Sequence, residues 1–446
     1  MNTNYLIVMI ASFYIQVYGC QMNVYDSEKI RSAMLGNGYV ESIDANDSDI
    51  IIFYTCNVRE KAAEKLFSDI GRISGKKDKI IAVGGCVAQA EKEGIFKRAP
   101  DVRIVFGPHV YHKLPEYIKK IDSGIEQRII DVTFAQKVKF GHLPKKSAAK
   151  ASEFVSIQEG CDNFCTYCTV PYVRGREYSR PSKDIIGEIV DLIDRGTKEI
   201  TLLGQNVNSY HSDVSFEELL RSVLKISGLR RLRYTSSHPK DFTTELMAIH
   251  NEYQNILPPF VHIPVQSGSD RILDMMNRGH TISEYLQKLR KFRNICKSVS
   301  FSSDFIVGFP GETEADFQDT IDLAKEAKFS SFYAFIYSRR KETPAYNMPN
   351  QVPLAEKKRR FEELLRVLRK EELEFNKNCV GSTQRVLFEK RGKKENQYIG
   401  YSEYMQSVVV ENDSENIIGT FGEVLIKEGF QNCLIGKLNW ETELGN

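Results

Sequence analysis

Residues 153–180 read EFVSIQEGCDNFCTYCTVPYVRGREYSR, and this stretch decides the fold. The run Phe154–Gln158 has the length and apolar content of a buried strand. Cys161, Cys165 and Cys168 follow at once as C-x3-C-x2-C. A helix is expected over Ser182–Arg195, with Ile185, Ile189 and Ile193 on one face and Gly196 as its stop. The strand-then-helix pattern recurs downstream, with strands at Glu199–Leu203, Leu232–Ser236, Phe260–Pro264, Ser302–Val307 and Phe332–Ile336. Ser215-x-x-Glu218 and Thr313-x-x-Asp316 are amino-terminal capping signals for two intervening helices. Such repetition predicts a partial (β/α)6 barrel, whose chemistry gathers at the carboxyl ends of its strands. The cysteine triplet falls at that end of the first strand.

Upstream the pattern is α/β again. Strands at Phe13–Tyr18, Asp49–Tyr54, Lys79–Val83 and Arg103–Phe106 alternate with helical stretches near Ser27–Leu35, Arg59–Ile73 and Ala88–Lys97. This predicts a doubly wound parallel α/β domain over residues 11–122. Cys20, Cys56 and Cys86 each follow one of those strands closely. Strand carboxyl ends share one edge of such a sheet, so cysteines far apart in sequence can meet there. Unrelated buried thiols are the alternative, since free cysteine is commonly buried. The repeated strand-end placement favours a site.

Residues 123–151 lose periodicity and end in the polar Pro144–Lys150, which predicts an exposed linker. The barrel region, 152–378, closes with a charged helix over Leu354–Asn376 that carries apolar Leu354, Phe361, Leu364, Leu365 and Leu368. The tail, 379–442, has short runs at Gln384–Phe388, Ser407–Val410, Glu423–Lys427 and Cys433–Gly436. Regular turns between them predict a small β-barrel.

Composition narrows the class. The chain has 446 residues, 41% hydrophobic and 27% charged, which is ordinary for a soluble protein of about three domains. A net charge of +2 does not by itself announce a nucleic-acid partner. Nine cysteines without an even framework argue against a secreted disulfide protein and for a reducing cytoplasm. The apolar opening run, Tyr5–Tyr18, has no basic flank or cleavage site and is shorter than the ~20 residues a membrane helix needs, so no membrane association is expected.

Both cysteine sets hold three thiols. Structural zinc wants four ligands, usually as two pairs, and no second pair follows Cys168; His211, the nearest candidate, is remote. Iron–sulfur clusters also normally take four thiolates, so three leave one iron open to a reacting molecule. Cys296, Cys379 and Cys433 fit no pattern and read as structural thiols.

The triplet closely resembles the signature of radical S-adenosylmethionine (radical SAM) enzymes. Beyond it, YGCQMNVYDSE, TCNVREKA, GGCVAQ and IQEGCDNFCTYCTVPYVRGRE resemble the methylthiotransferase family of those enzymes. The tail is similar to the RNA-binding TRAM module, and the resemblance runs from about Phe13 to Trp440. REKA, LLGQNVNSY (Leu202–Tyr210) and YTSSHP (Tyr234–Pro239) are similar to the branch acting on isopentenyl(dimethylallyl)-adenosine in tRNA. One departure is Tyr54, where the family generally has asparagine.

The resemblance implies two 4Fe-4S clusters. Cys20, Cys56 and Cys86 would hold an auxiliary one, and Cys161, Cys165 and Cys168 the radical-generating one. It implies two S-adenosylmethionine molecules per turnover, one giving the methyl group and one the radical that removes hydrogen from carbon 2 of adenine. A cofactor carries this chemistry because acid–base groups cannot activate such a bond. Tyr167, Gly204, Gln205, Gln266 and Ser267 are candidate S-adenosylmethionine contacts, each weighed against an ordinary core or turn role. Arg174, Arg176, Arg180, Arg385 and Lys393 are candidate RNA contacts, with Tyr398 and Tyr401 as base-stacking surfaces. His238 is either polar lining or a satisfied buried histidine. The expected partner is the tRNA anticodon stem-loop, where an adenine edge is reachable without opening a duplex. An electron donor is needed, and a monomer is expected. The rivals are the same chemistry on threonylcarbamoyl-adenosine tRNA or on a ribosomal protein aspartate, and a noncatalytic zinc-stabilised RNA-binding protein.

Overall fold

The computed structural model describes residues 11–57, 60–73, 75, 79–413 and 416–439. The opening residues before Ala11, Arg59 of the REKA word and the last predicted tail residues lie outside these. The chain forms two compact bodies. The first takes residues up to Ala148 together with Gln158–Asp162 and Cys168–Arg180; the second takes Ala149–Ile157, Asn163–Tyr167 and the chain from Pro181 onward.

The first body is built on a parallel sheet of β1 (Ser12–Tyr18), β2 (Val40–Glu41), β3 (Ile50–Thr55), β4 (Ile80–Gly85), β5 (Val102–Phe106) and β6 (Ile129–Asp131), in the order β2-β1-β3-β4-β5-β6. Its helices are α1 (Gln21–Gly36), α2 (Glu60–Ile73), α3 (Cys86–Glu91), α4 (Gly94–Arg98), α5 (Leu114–Asp122) and α6 (Gln136–Gly141). Every residue of β3, IIIFYT, is buried. Ile50, Ile52 and Tyr54 pack with Ile30 and Met34 of α1 and Ile118 of α5. Ile51 and Phe53 pack on the other face with Leu66 and Ile70 of α2. A central parallel strand covered on both sides needs an unbroken apolar run, which this sequence supplies. Because β1 has β2 on one side and β3 on the other, the winding reverses there, opening a crevice at the strands' carboxyl ends.

Three expectations change here. The single helix over Ala88–Lys97 is two, α3 and α4, parted at Lys92, whose φ is +50°. The short edge strands β2 and β6 had no alternating pattern to announce them. The stretch 123–151 is not simply an exposed linker: Ile129–Asp131 pairs with β5, α6 buries Lys139 completely, and Lys146 is 5% exposed. Both buried lysines are neutralised internally, Lys139 by Asp26 and Glu159 and Lys146, in the polar run Pro144–Lys150, by Glu28.

In the second body the six expected parallel strands form two sheets in chain order. One joins β7 (Ser152–Ser156), β10 (Glu199–Leu203) and β11 (Arg231–Tyr234); the strands between them in sequence, β8 (Gln158–Glu159) and β9 (Tyr178–Ser179), pair with each other in the first body. The other joins β12 (Phe260–His262), β13 (Ser300–Val307) and β14 (Ser331–Ile336). The capping boxes at Ser215 and Thr313 are both formed. A continuous core including Val155, Ile200, Leu232, Val261, Phe301 and Leu364 lies under the helices.

The tail is a closed barrel of β15 (Thr383–Arg391), β16 (Gln397–Tyr401), β17 (Ser407–Glu411), β18 (Phe421–Gly429) and β19 (Leu434–Asn439). Its second strand, QYIGY, was not expected, being only five residues long and broken by Gly400. The barrel is held to the amino-terminal ends of β10 and β11 by a buried network. Arg231 and Arg233 share the carboxylate of Glu199. Arg231 then donates to the carbonyls of Arg385 (3.2 Å) and Tyr401 (3.1 Å), and Arg233 to those of Glu403 (2.9 Å) and Ser402 (2.7 Å). Burial alone would push the Glu199 carboxyl up, but Arg233 and Arg231 hold it below the usual range.

Candidate functional site

The carboxyl edge of the first body's sheet collects the first cysteine set. Cys20 ends the turn after β1, Cys56 follows β3 directly, and Cys86 opens α3 after β4. The backbone between them is tight: a Cβ on Gly19, whose φ is +124°, would meet the Cys56 Cβ at 2.2 Å. Only glycine allows that approach. The Cys20 thiol is lowered to about 6, first by its hydrogen bond with Cys56, against burial, and then by the charge of Arg174. Cys86 is 4% exposed, and burial pushes its thiol up, offset in part by Arg174. Among the described residues no three His, Cys, Asp or Glu side chains converge as ligands of one metal ion. Three thiols at one strand edge, one already thiolate-prone, are a donor set suited to a cluster, whose separate irons each take one sulfur.

Behind these cysteines lies a charge network that the sequence did not announce. Arg174 Nε is 3.2 Å from Cys86 Sγ, and its Nη2 donates to Asn23 Oδ1 at 3.1 Å. Its Nη1 lies 2.6 Å from Glu159 Oε1 and 2.8 Å from Asp26 Oδ2. Lys139 Nζ bonds both carboxylates at 2.8 Å, and His109 Nε2 is 3.5 Å from Glu159. Burial opposes charge on Glu159, yet Lys139, His109 and Arg174 hold its carboxyl well below the usual range. Tyr54, the departure from the family's asparagine, donates its hydroxyl to Asp26 at 2.9 Å and so braces this network.

Four predicted RNA contacts, Arg174, Arg180, Arg385 and Tyr398, are corrected here. Arg174 is 2% exposed and spends its guanidinium on sulfur, amide and carboxylates. Arg180 is 4% exposed, with its guanidinium 5.3 Å from the Phe140 ring centroid. Arg176 stays at the surface beside Asp162 (3.7 Å). In the tail Lys393 is exposed, whereas Arg385 packs 4.3 Å from the Phe421 ring and donates to the carbonyls of Arg230 and Asn255. Tyr398 is a core residue of the barrel and is not available to stack on a base.

The second body holds Cys165 and the candidate cofactor contacts. Cys165 is buried, with Arg278 Nη1 at 3.5 Å from its sulfur and Nη2 of the same side chain on Pro264 O at 2.6 Å. Thr166 anchors its loop through Met275, Met276 and Ala345. Tyr167 packs beside Ile272, Met276, Phe309 and Tyr337. Gly204 and Gln205 follow β10, where Asn206 bonds Asp241 at 2.8 Å. Gln266 continues β12 with φ +82° and bridges to Phe305. Ser267 turns its hydroxyl to Thr320 and Ser269. His238 accepts from the Lys240 amide at Nδ1, leaving its Nε2 without a protein partner, and burial keeps its ring neutral. The cysteines were singled out by their spacing; Asp26, Lys139, Glu159 and Arg278 carried no sequence signal, because each draws its contacts from partners distant in the chain.

Comparison with known proteins follows the same division. The radical SAM superfamily matches residues 155–324, the uncharacterized protein family UPF0004 residues 12–107, and the TRAM domain residues 377–438. The chain is 45% identical over 446 residues to the tRNA-2-methylthio-N(6)-dimethylallyladenosine synthase of Rickettsia typhi, covering 96% of this chain and 100% of the relative. It is 47% identical over 435 residues to the synthase of the same name from Wolbachia pipientis, covering 95% and 98%. Among solved structures, the radical S-adenosylmethionine methyltransferase TsrM from Kitasatospora setae aligns with a TM-score of 0.56 at 13% identity over 76% of this chain and 74% of that one. That likeness speaks for the fold alone.

Proposed function

The chain belongs to the family of the tRNA-2-methylthio-N(6)-dimethylallyladenosine synthases within the radical SAM superfamily, and on that premise we propose that it adds a methylthio group to carbon 2 of isopentenyl-adenosine beside the tRNA anticodon. It is a radical SAM tRNA methylthiotransferase, with a 4Fe-4S cluster and S-adenosylmethionine as its family cofactors. The observation that carries the reading is identity of 45% along the whole chain.

We assign the superfamily cluster to Cys161, Cys165 and Cys168, and a second cluster to Cys20, Cys56 and Cys86. When bound, these groups supply the radical, the sulfur and the methyl group, two S-adenosylmethionine molecules being used per product. The protein's part is placement. The tight turn at Gly19 and the ends of β1, β3 and β4 gather the first three thiols. Thr166 fixes the loop carrying Cys165, and Arg278 places a cation on that sulfur. Tyr167, Gly204, Gln205 and the backbone of Gln266 are the proposed contacts for S-adenosylmethionine. Arg176 and Lys393, both exposed, are the proposed phosphate contacts. We further propose a cytoplasmic monomer that takes its electrons from a separate donor. Among the described residues no helix is long and apolar enough to cross a membrane.

The test is reconstitution of the protein with iron and sulfide, followed by reaction with tRNA bearing isopentenyl-adenosine. Nucleoside mass spectrometry should detect the 2-methylthio product, and its absence alongside modification of threonylcarbamoyl-adenosine would transfer the reading to the sister substrate. A colourless protein that retains zinc and no iron would support the noncatalytic rival.

A further inference from the structure

We propose that Arg174 is a positioning residue that sets the reduction potential of the cluster assigned to Cys20, Cys56 and Cys86. The inference rests on that ligand assignment and goes beyond it, because it concerns how the protein tunes the cluster. Arg174 was expected at the surface; its burial removes it from contact with RNA.

The geometry uses every nitrogen of the guanidinium. Nε meets Cys86 Sγ, Nη2 meets Asn23 Oδ1, and Nη1 sits between Glu159 and Asp26. Asn23 is itself fixed, donating to Tyr18 O at 3.0 Å and accepting from Cys20 Sγ at 3.8 Å. One side chain therefore reaches Cys86 directly, while Asn23 holds the guanidinium in its plane; a cluster-bound Cys20 thiolate has no proton to give Asn23 Oδ1 and so takes no part. The planar fork of arginine suits this; a lysine ammonium could satisfy one partner but not hold all of them in a plane. The next residue adds a link: Gly175 O accepts the backbone N–H of Cys161 at 3.2 Å. The segment 174–175 thus touches both cysteine sets within the first body.

Charge decides the direction. Potentials of iron–sulfur clusters respond to net charge and to hydrogen bonds on the sulfurs. A cation donating to a ligand sulfur stabilises the more negative, reduced cluster and so raises its potential. Asp26 and Glu159 balance Lys139 and Arg174, leaving the guanidinium as the nearest charged group to Cys86. Removing the cation should lower the potential, and removing a balancing carboxylate should raise it. A residue that only held the fold together would not produce opposite signs.

The experiment uses the full chain with Cys161, Cys165 and Cys168 changed to alanine, so that only the first cluster can load; their backbone bonds are retained. Iron and sulfide are counted, and the cluster is titrated with dithionite, which supplies one electron per reduced cluster, while the reduced form is followed by electron paramagnetic resonance. Arg174→Gln should shift the reduction equilibrium about tenfold toward the oxidised form, or about 59 mV for one electron. Arg174→Lys should fall between it and the parent. Glu159→Gln should move the midpoint the opposite way, and it keeps the proposal testable if Arg174→Gln does not fold. Iron bound with the same midpoint in all variants overturns the role of Arg174 alone. No iron in the parent overturns the ligand assignment as well.

Discussion

Two buried arginine networks in this molecule use the same chemistry to different ends. In the first body, Arg174 and Lys139 face Asp26 and Glu159, and the remaining Arg174 donors go to a cysteine sulfur and an amide. In the second, Arg231 and Arg233 share Glu199, and their remaining donors go to four backbone carbonyls of the tail barrel. One network is balanced in formal charge and turns a leftover N–H donor onto the sulfur of Cys86. The other carries one cation more than it has carboxylates, and the excess is spread over carbonyl dipoles. The identity of the ion pair does not tell the two apart; the destination of the leftover N–H groups does.

The comparison breaks most visibly at Glu199. Glu199→Leu leaves two buried guanidiniums without a counter-ion, a change that costs about 3–5 kcal/mol where one partner of a buried pair is removed. Denaturant unfolding should register that loss, and proteolysis near residues 379–383 should speed up. Iron per folded chain should stay at the parent value, since this network touches no cysteine. Arg174→Gln predicts the reverse emphasis. The rate of methylthiolation per loaded cluster should fall about 10–100-fold, the usual range for groups that orient metal ligands. If Glu199→Leu lowered iron content as strongly as Arg174→Gln lowered the rate, the division between the networks would not hold.

Acid sharpens the contrast. Glu199 is ionised in the fold more readily than in the unfolded chain, so its contribution is present above the unfolded pKa of about 4.3 and is lost as pH falls through the lower folded value. His250 behaves differently: burial lowers its pKa to about 3, and Tyr234 Oη sits 2.7 Å from its Nε2. Below about pH 6.5 the unfolded chain takes up this proton and the folded one does not, so the unfolded state binds more protons and stability falls with pH down to about 3. The slope from this one group is at most about 1.4 kcal/mol per pH unit. His250→Gln should flatten the stability profile between pH 6.5 and 4.5 and leave the steeper fall below it, where the carboxylates titrate.

The strands were the readable part of this protein. IIIFYT in β3 and the six barrel runs are apolar at the right length, and cysteines after β1, β3 and β4 mark the strand ends. What stayed hidden has a common cause. Arg174 read as a surface RNA contact, and Lys139 and Arg231 drew no notice, because burial of a charge depends on counter-charges supplied by distant segments, such as Asp26 for Lys139, 113 residues away. The strands β2, β6 and β16 stayed hidden for a different reason: β2 and β6 are two or three residues at a sheet edge held by backbone pairing, and β16 alternates over only five residues around Gly400. Tyr398 was placed on a surface because β16 itself was missed, and with it the register that turns that ring inward.

The smallest effect separates two cations of the tail barrel that the sequence had treated alike. Arg385 is committed to the protein, stacked on Phe421 and donating to the carbonyls of Arg230 and Asn255. Arg385→Ala should therefore cost about 1 kcal/mol of stability from the lost ring contact and hydrogen bonds, and leave the salt dependence of tRNA binding as it was. Lys393 is exposed beyond the end of β15 and is the proposed phosphate contact. Lys393→Ala should leave unfolding unchanged and weaken tRNA binding at low salt, with the slope of log K against log salt reduced by about 0.7, the value for one contact to a single strand. Equal slopes for the two variants would mean that neither side chain meets the RNA backbone. A reduced slope for Arg385→Ala alone would mean that the barrel leaves its seat on β10 and β11 when tRNA binds.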